Sequence, residues 1–217
     1  MLLITTATEL EMEPVRQALA DYRGWLPLVT GVGILETAVV LADFLAGGPG
    51  TAVIKVINVG VAGAYPESGL RILDIALAEV EIVADLGVCC GDDIQPLAGI
   101  EVNSHMEMNK AFLEWAGTAL RRAAINFKQG PFATVNSVSG TAARGAALRR
   151  RCQVICENME GAATARVCES FGLPCLELRA VSNMVEDRDT SRWRLDEAAR
   201  RGAKALRAIL EQGAVYD

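Results

Sequence analysis

Three stretches of this chain carry polar residues where apolar strands give way to turns or helices, which is where an α/β protein builds its crevices. In Cys156-Glu-Asn-Met-Glu-Gly-Ala-Ala163, Glu160 sits where a short strand hands over to a helix of small residues. Its sequence neighbours supply no cation, so a carboxylate buried here needs other donors, and the two hydroxyls of a vicinal diol would serve. Its plainer role is that of a first-turn acid complementing the helix dipole. Arg179 interrupts the β-like run Cys175-Leu-Glu-Leu-Arg-Ala-Val-Ser182, and Asn183 follows. Arg179 is either a partner for Glu177 or a first-helix acid, or a cation held at the crevice. Thr8-Glu-Leu-Glu-Met-Glu-Pro14 places Glu9, Glu11 and Glu13 on the turn after the first strand. Each suits a helix N-terminus, yet a carboxylate beside other strand ends is also a candidate base for activating water.

The same turn argues against phosphate chemistry, which wants Arg side chains and glycine amides there. It also lacks the glycine series of a dinucleotide fingerprint. Gly31-Val-Gly33 and Gly60-Val-Ala-Gly63 remain as bare backbone at strand ends, able to approach a flat or sugar-like ligand.

The elements that must position these groups alternate. Met1–Thr6 reads as a strand, 8–20 as a helix, Trp25–Thr30 as a strand, Ile34–Leu45 as an amphipathic helix with Glu36 and Asp43 outside, and Ala52–Val59 as a strand. Ile72–Ala84 has a β pattern long enough to bend, 85–104 is loop-rich, and a helix covers 108–122. Then come a strand at 130–138, a helix at 140–150, a strand at 153–157 and a closing helix at 195–211. This order predicts one α/β domain over 1–217, a three-layer α/β/α sandwich with a central mixed, mostly parallel sheet.

Composition agrees. About half of the 217 residues are apolar and 5% aromatic, which suits a core of small aliphatic side chains. The net charge of −6 provides no footprint for nucleic acid or an anionic membrane. The first residues lack a basic signal-peptide region and no apolar run is membrane length, so a cytoplasmic location is expected. Six cysteines and one histidine follow no metal-binding spacing, and the cysteines are expected as small buried hydrophobes.

Taken together, the spaced glutamates, Gly60-Val-Ala-Gly-Ala64, Asn158-Met-Glu-Gly-Ala-Ala163 and Arg179-Ala-Val-Ser-Asn183 resemble the purine nucleoside phosphorylase/nucleosidase superfamily. The likeness spans nearly the whole chain and is greatest to its nucleosidase branch, that of the methylthioadenosine/adenosylhomocysteine nucleosidases and futalosine hydrolases. By position, it implies that Glu11 activates water, Arg179 assists it, Met159 and Glu160 hold the ribose, and Val61, Ala62 and Gly63 form a backbone turn over the sugar. The base-side loop falls on 134–138, with Val135, Asn136 and Val138 facing the ligand. The adenine-specific branch has Asp where this chain has Asn183. An amide is no general acid, but it donates to N7 or O6 of a 6-oxopurine. The resemblance therefore implies cleavage of futalosine to hypoxanthine, in menaquinone biosynthesis, with no metal or cofactor and a homodimer or higher homo-oligomer. Alternatives are a methylthioadenosine/adenosylhomocysteine or aminodeoxyfutalosine nucleosidase and a non-catalytic nucleoside sensor. Asp187 and Asp189 are the nearest acids for the leaving group, with solvent the other option, and Arg188 or Arg192 are candidate cations for an acidic tail.

Overall fold

The computed structural model describes residues 1–212. Leu2–Thr6 (β1) leads through α1 (Glu9–Ala18) to Trp25–Val29 (β2), and α2 (Ile34–Ala46) leads to β3 (Lys55–Ala64). β4 (Ile75–Val83) follows, then a small hairpin of β5 (Val88–Cys90) and β6 (Asp93–Gln95), and β7 (His105–Glu107). The remainder is α3 (Lys110–Arg122), β8 (Phe127–Thr134), α4 (Ala142–Cys152), β9 (Cys156–Asn158), α5 (Gly161–Ser170), β10 (Cys175–Met184) and α6 (Leu195–Gln212). Near-continuous apolar runs such as Val56–Val59 are what a strand covered on both faces requires. Two expectations change: residues 85–104 contain the β5–β6 hairpin, and β3 continues through Gly60–Ala64, so Val61, Ala62 and Gly63 are strand, not turn.

The sheet is mixed and mostly parallel, as expected: β1–β2, β1–β3, β3–β10, β4–β8 and β8–β9 are parallel, while β4–β10, β3–β9 and β4–β7 are antiparallel. Its layer is curled, because β10 pairs with both β4 and β3 and closes a ring with β8 and β9, from which β1 and β2 extend. Register shifts at Ala78/Glu81 in β4 and Val181/Asn183 in β10 supply the bend. One face is packed by α1, α3 and α6 around Met12, Phe112, Leu206 and Ile209; the other by α2 and α5 around Leu41, Leu45 and Ala165.

The cysteine expectation holds for half. Cys156, Cys168 and Cys175 are buried, but Cys89 and Cys90 are exposed on the hairpin, away from any core, and Cys152 is half-buried. No described helix is long and apolar enough to cross a membrane. α2 is less amphipathic than its charges suggest: Leu35 and Val39 are exposed, at 74% and 59%, beside Glu36 and Asp43.

Candidate active site

The edge of β3 changes partner along its length. Its first half pairs with β1, which ends at Thr6 as the chain turns into α1, and Gly63 and Ala64 pair with β9. Where one neighbour leaves and the other arrives, a cavity of about 370 Å³ opens. Its lining is drawn from the first turn of α1, the second half of β3, β9 with the start of α5, and the end of β10.

The three glutamates of α1 part company. Glu9 is exposed and bonded to Arg16 at 2.5 Å, and Glu13 is exposed beside Gln17. Glu11 is buried and lines the cavity. Its Oε2 accepts from the Thr8 N–H (3.0 Å) and hydroxyl (2.8 Å), the reach-back of a capping acid, and Oε1 accepts from Val61 N–H at 3.0 Å. Two acceptor positions per oxygen leave Oε2 saturated and Oε1 with one site to spare.

Glu160 ends the loop before α5, also buried on the cavity wall. Its sequence neighbours supply no cation, but the fold does: Oε2 accepts from Arg179 Nη1 at 3.4 Å, and Oε1 from the Gly33 N–H at 3.1 Å. Burial pushes its pKa up, against the pull of Arg179 and the Gly33 amide. Asn158 organises this corner, its Oδ1 accepting from the Glu160 and Gly161 amides (2.9 and 2.8 Å) and from Arg179 Nη2 (3.3 Å).

Arg179 lies mid-strand rather than at a strand end, 1% exposed, and is absent from the cavity wall. It bonds Glu177 through Nε at 2.8 Å and the Val61 carbonyl through Nη1 at 3.3 Å. Burial opposes its charge, yet Glu177, Glu160 and Glu11 together hold it more firmly protonated than a free guanidinium. Gly60 makes this possible: a Cβ there would collide with Arg179 Nη1 and Glu11 Oε1.

At the opposite end, the bulge in β10 aims Asn183 at the cavity. Its Oδ1 accepts from the Ser182 hydroxyl (2.8 Å), and Nδ2 donates to the Met184 carbonyl (3.2 Å) and retains one N–H. Nδ2 and the Glu157 side chain both flank Gly63. Glu157 is a buried carboxylate on the cavity wall that the sequence reading passed over. Its Oε2 accepts from Tyr65 Oη (3.0 Å) and Ser139 Oγ (2.7 Å), and Oε1 from the Ser139 N–H (2.8 Å). Burial and Glu157 hold the Tyr65 phenol well above its usual pKa, so it remains a donor.

Of the residues singled out from sequence, Glu11, Val61, Ala62, Gly63, Val138, Met159, Glu160 and Asn183 line the cavity. Val135 and Asn136 do not: Val135 is packed in the core under α4, and Asn136 is exposed and bonded to Asp85 at 2.7 and 3.1 Å. The loop reaches the cavity one turn later, through Val138 and Ser139. Asp187 accepts from the Ala142 N–H at the start of α4 and Asp189 from the Ser191 N–H at the start of the short 3-10 helix Thr190–Arg192, and both lie in a small adjoining cleft. Arg188 lies over the Trp193 ring at 4.6 Å and Arg192 bonds Glu186, both along the same cleft. Missed from sequence were Glu157, Ser139, Trp193, and the apolar rim of Leu10 and Val32; only Glu157, an acid inside an apolar strand, had a usable signal. Among the described residues no cluster of three or more His, Cys, Asp and Glu could hold a metal ion.

Comparison with known proteins places this geometry in context. Residues 26–212 match the model of the phosphorylase superfamily. A futalosine hydrolase of Thermus thermophilus is 36% identical over 87% of this chain and 82% of that protein. One from Streptomyces coelicolor is 33% identical over 81% and 74%. Among solved structures, a 5′-methylthioadenosine/S-adenosylhomocysteine nucleosidase of Helicobacter pylori superposes with a TM-score of 0.86, covering 97% of each chain at 21% identity.

Proposed function

The chain belongs to the phosphorylase superfamily and is a hydrolase of N-glycosyl bonds, and from that premise we propose that it cleaves futalosine to hypoxanthine and dehypoxanthine futalosine, in the futalosine route of menaquinone biosynthesis. One observation carries the reading: two buried carboxylates, Glu11 and Glu160, share a cavity with a neutral amide, Asn183.

N-glycosidic hydrolysis passes through an oxocarbenium-like sugar, so a site gains most from negative charge placed where positive charge develops. Glu160 accepts the 2′ and 3′ hydroxyls on the lone pairs that Gly33 and Arg179 leave open. Glu11 takes the attacking water on its one free Oε1 position and removes its proton as the glycosidic bond breaks and the bond to water forms. Met159 packs against the sugar. Arg179 works from beneath as a positioning residue, fixing Glu160 and the Val61 backbone that fixes Glu11.

At the base end, Asn183 gives its free N–H to N7 or O6 of the departing purine. Glu157 Oε1 has one acceptor position left, complementary to the N1–H of a 6-oxopurine, whereas adenine presents only an acceptor at N1. Asp187 and Asp189 are committed to helix starts, so the base leaves stabilised by Asn183 and takes its proton from solvent at the open mouth. The apolar rim and the adjoining cleft with Arg188 and Arg192 suit the aromatic carboxylate tail. Val32, exposed at 53%, continues on to the bare Leu35 and Val39 of α2, an apolar surface that suits a second copy in a homodimer.

Incubating the purified protein with futalosine, aminodeoxyfutalosine and methylthioadenosine tests the reading by the base released. Hypoxanthine from futalosine at the highest kcat/KM is expected. Faster adenine release from either of the others would reassign the substrate, and free base from none would leave a nucleoside-binding sensor.

A further inference from the structure

Behind the cavity wall lies an acidic pair that the reaction does not touch. Glu81 and Glu177 are fully buried, on β4 and β10. The bulge in β4 turns Glu81 inward, where Oε2 accepts from Thr134 Oγ1 (2.6 Å) and Oε1 from Asn158 Nδ2 (2.5 Å). Glu177 Oε1 accepts from Arg179 Nε, but its Oε2 is buried with no donor. That orphan is not isolated: a Cβ on Gly161 would strike both Glu177 Oε2 and Glu81 Oε1, so the two oxygens face each other across the glycine. Two like charges in one desolvated spot are strongly disfavoured, and an acceptor buried without a donor is costly. One proton between the carboxyls relieves both.

We propose that Glu81 and Glu177 share a single proton beneath Gly161, and that this pair, carrying one negative charge in all, positions Arg179 under Glu160 and beside Glu11. Other titratable groups nearby are Cys156 on β9, Cys168 on α5 and Cys175 on β10. Burial raises the Cys156 thiol, and Cys168 with burial raises that of Cys175, so both are neutral. The buried charges facing Arg179 are then Glu177, Glu160 and Glu11. A second full charge on Glu81 would compete for Arg179 and draw it away from Glu160. The arrangement also explains two residue choices: Gly161 leaves room for the two carboxyls, and Asn158 spans from Glu81 to Arg179 and Glu160. The positioning role rests on the nucleosidase reading; the shared proton does not.

Infrared spectroscopy at neutral pH tests the proton directly. Wild type should show the band of a buried protonated carboxylic acid, and Glu81→Gln should lack it; no such band in wild type overturns the proposal even if the variant fails to fold. Burial and Glu177 raise the Glu81 pKa well above 4.5, so its proton stabilises the fold at low pH and that stability fades as pH rises through the raised value. Relative to Glu81→Gln, wild type should lose Tm as pH climbs from 4.5; parallel profiles would count against the shared proton. The positioning role is read from the acid limb of kcat/KM. Burial raises the Glu160 pKa, Arg179 is the main influence holding it down, and Glu177 adds only a lesser push upward. If Glu177 holds Arg179 in place through its bond to Nε, Glu177→Gln should move that limb to higher pH, while Glu81→Gln, neutral for neutral, leaves it in place. A limb unmoved or moved to lower pH in Glu177→Gln would remove the positioning role while leaving the substrate assignment intact.

Discussion

At the α1 end of the cavity, Glu11, Glu160 and Glu177 gather around one buried guanidinium, whereas at the Asn183 end a single carboxylate, bonded by Tyr65 and Ser139, faces a neutral amide. Both ends are buried and both are built on β3 and its neighbours, so the contrast lies in chemistry rather than in depth. A site that stabilises a cationic sugar needs fixed negative charge held in place by a counter-ion it does not surrender. A site that reads a neutral purine needs donors and acceptors whose pattern matches one base and leaves another unpaired. On the proposed reading the first arrangement governs rate and the second selectivity, and substitutions should separate them.

Removing charge from the first end should have the largest effect. Glu11→Gln keeps the shape and the Thr8 and Val61 contacts in part but cannot take a proton. A fall in kcat of about 10²–10⁴, the usual scale for general-base catalysis, is expected in steady-state assays with futalosine, with the circular-dichroism spectrum unchanged. Near-normal turnover would remove Glu11 from the water. Glu160 yields a pH test of the same end. Because burial lifts its pKa and the diol needs the anion, kcat/KM should fall as pH drops through a value above 4.5, not at or below it. A limb at or below 4.5 would detach Glu160 from ribose binding.

At the second end, Asn183→Asp should change preference more than rate. An acid there restores a group able to face a 6-amino purine and N7. The ratio of kcat/KM for aminodeoxyfutalosine over futalosine is expected to rise by about ten- to a hundredfold, the worth of one mispaired buried polar group of about 1–3 kcal/mol. Equal losses on both substrates would mean that Asn183 holds its loop rather than reads the base.

The two ends also differed in how far they could be read from sequence. Glu11, Glu160 and Asn183 stood out because each is a polar residue at the end of an apolar strand, a local signal. The ion pair between Arg179 and Glu160 was not local: Arg179 reads as a strand-end cation, and only the pairing of β10 with β3 shows it beneath the cavity. The ring closure that creates this pairing was invisible to periodicity, because a curled sheet and a flat one share the same apolar runs. Gly60 looked like a turn glycine, whereas it is strand backbone kept bare for Arg179 and Glu11. At the base end, Val135 and Asn136 are expected at the ligand only from their place along the chain. Just past the end of β8, Val135 packs into the core under α4, and Asp85, far off in sequence, captures Asn136.

Tyr65 offers the finest test of the contrast. Its hydroxyl is a buried donor to Glu157 and lies outside the cavity lining. Tyr65→Phe leaves the ring packing intact and removes one hydrogen bond to the Glu157 side chain, so Oε2 retains only Ser139 Oγ. The bond is worth about 1.5–3 kcal/mol at most, and part of it is recovered as Oε2 turns further toward Ser139. If the base end acts through hydrogen-bond pattern, the variant should raise KM for futalosine severalfold with kcat little changed, because the loosened carboxylate still meets N1–H but is held less well. If Glu157 were instead part of the charge system that drives bond cleavage, kcat would fall with KM unmoved. That outcome would erase the division between the two ends.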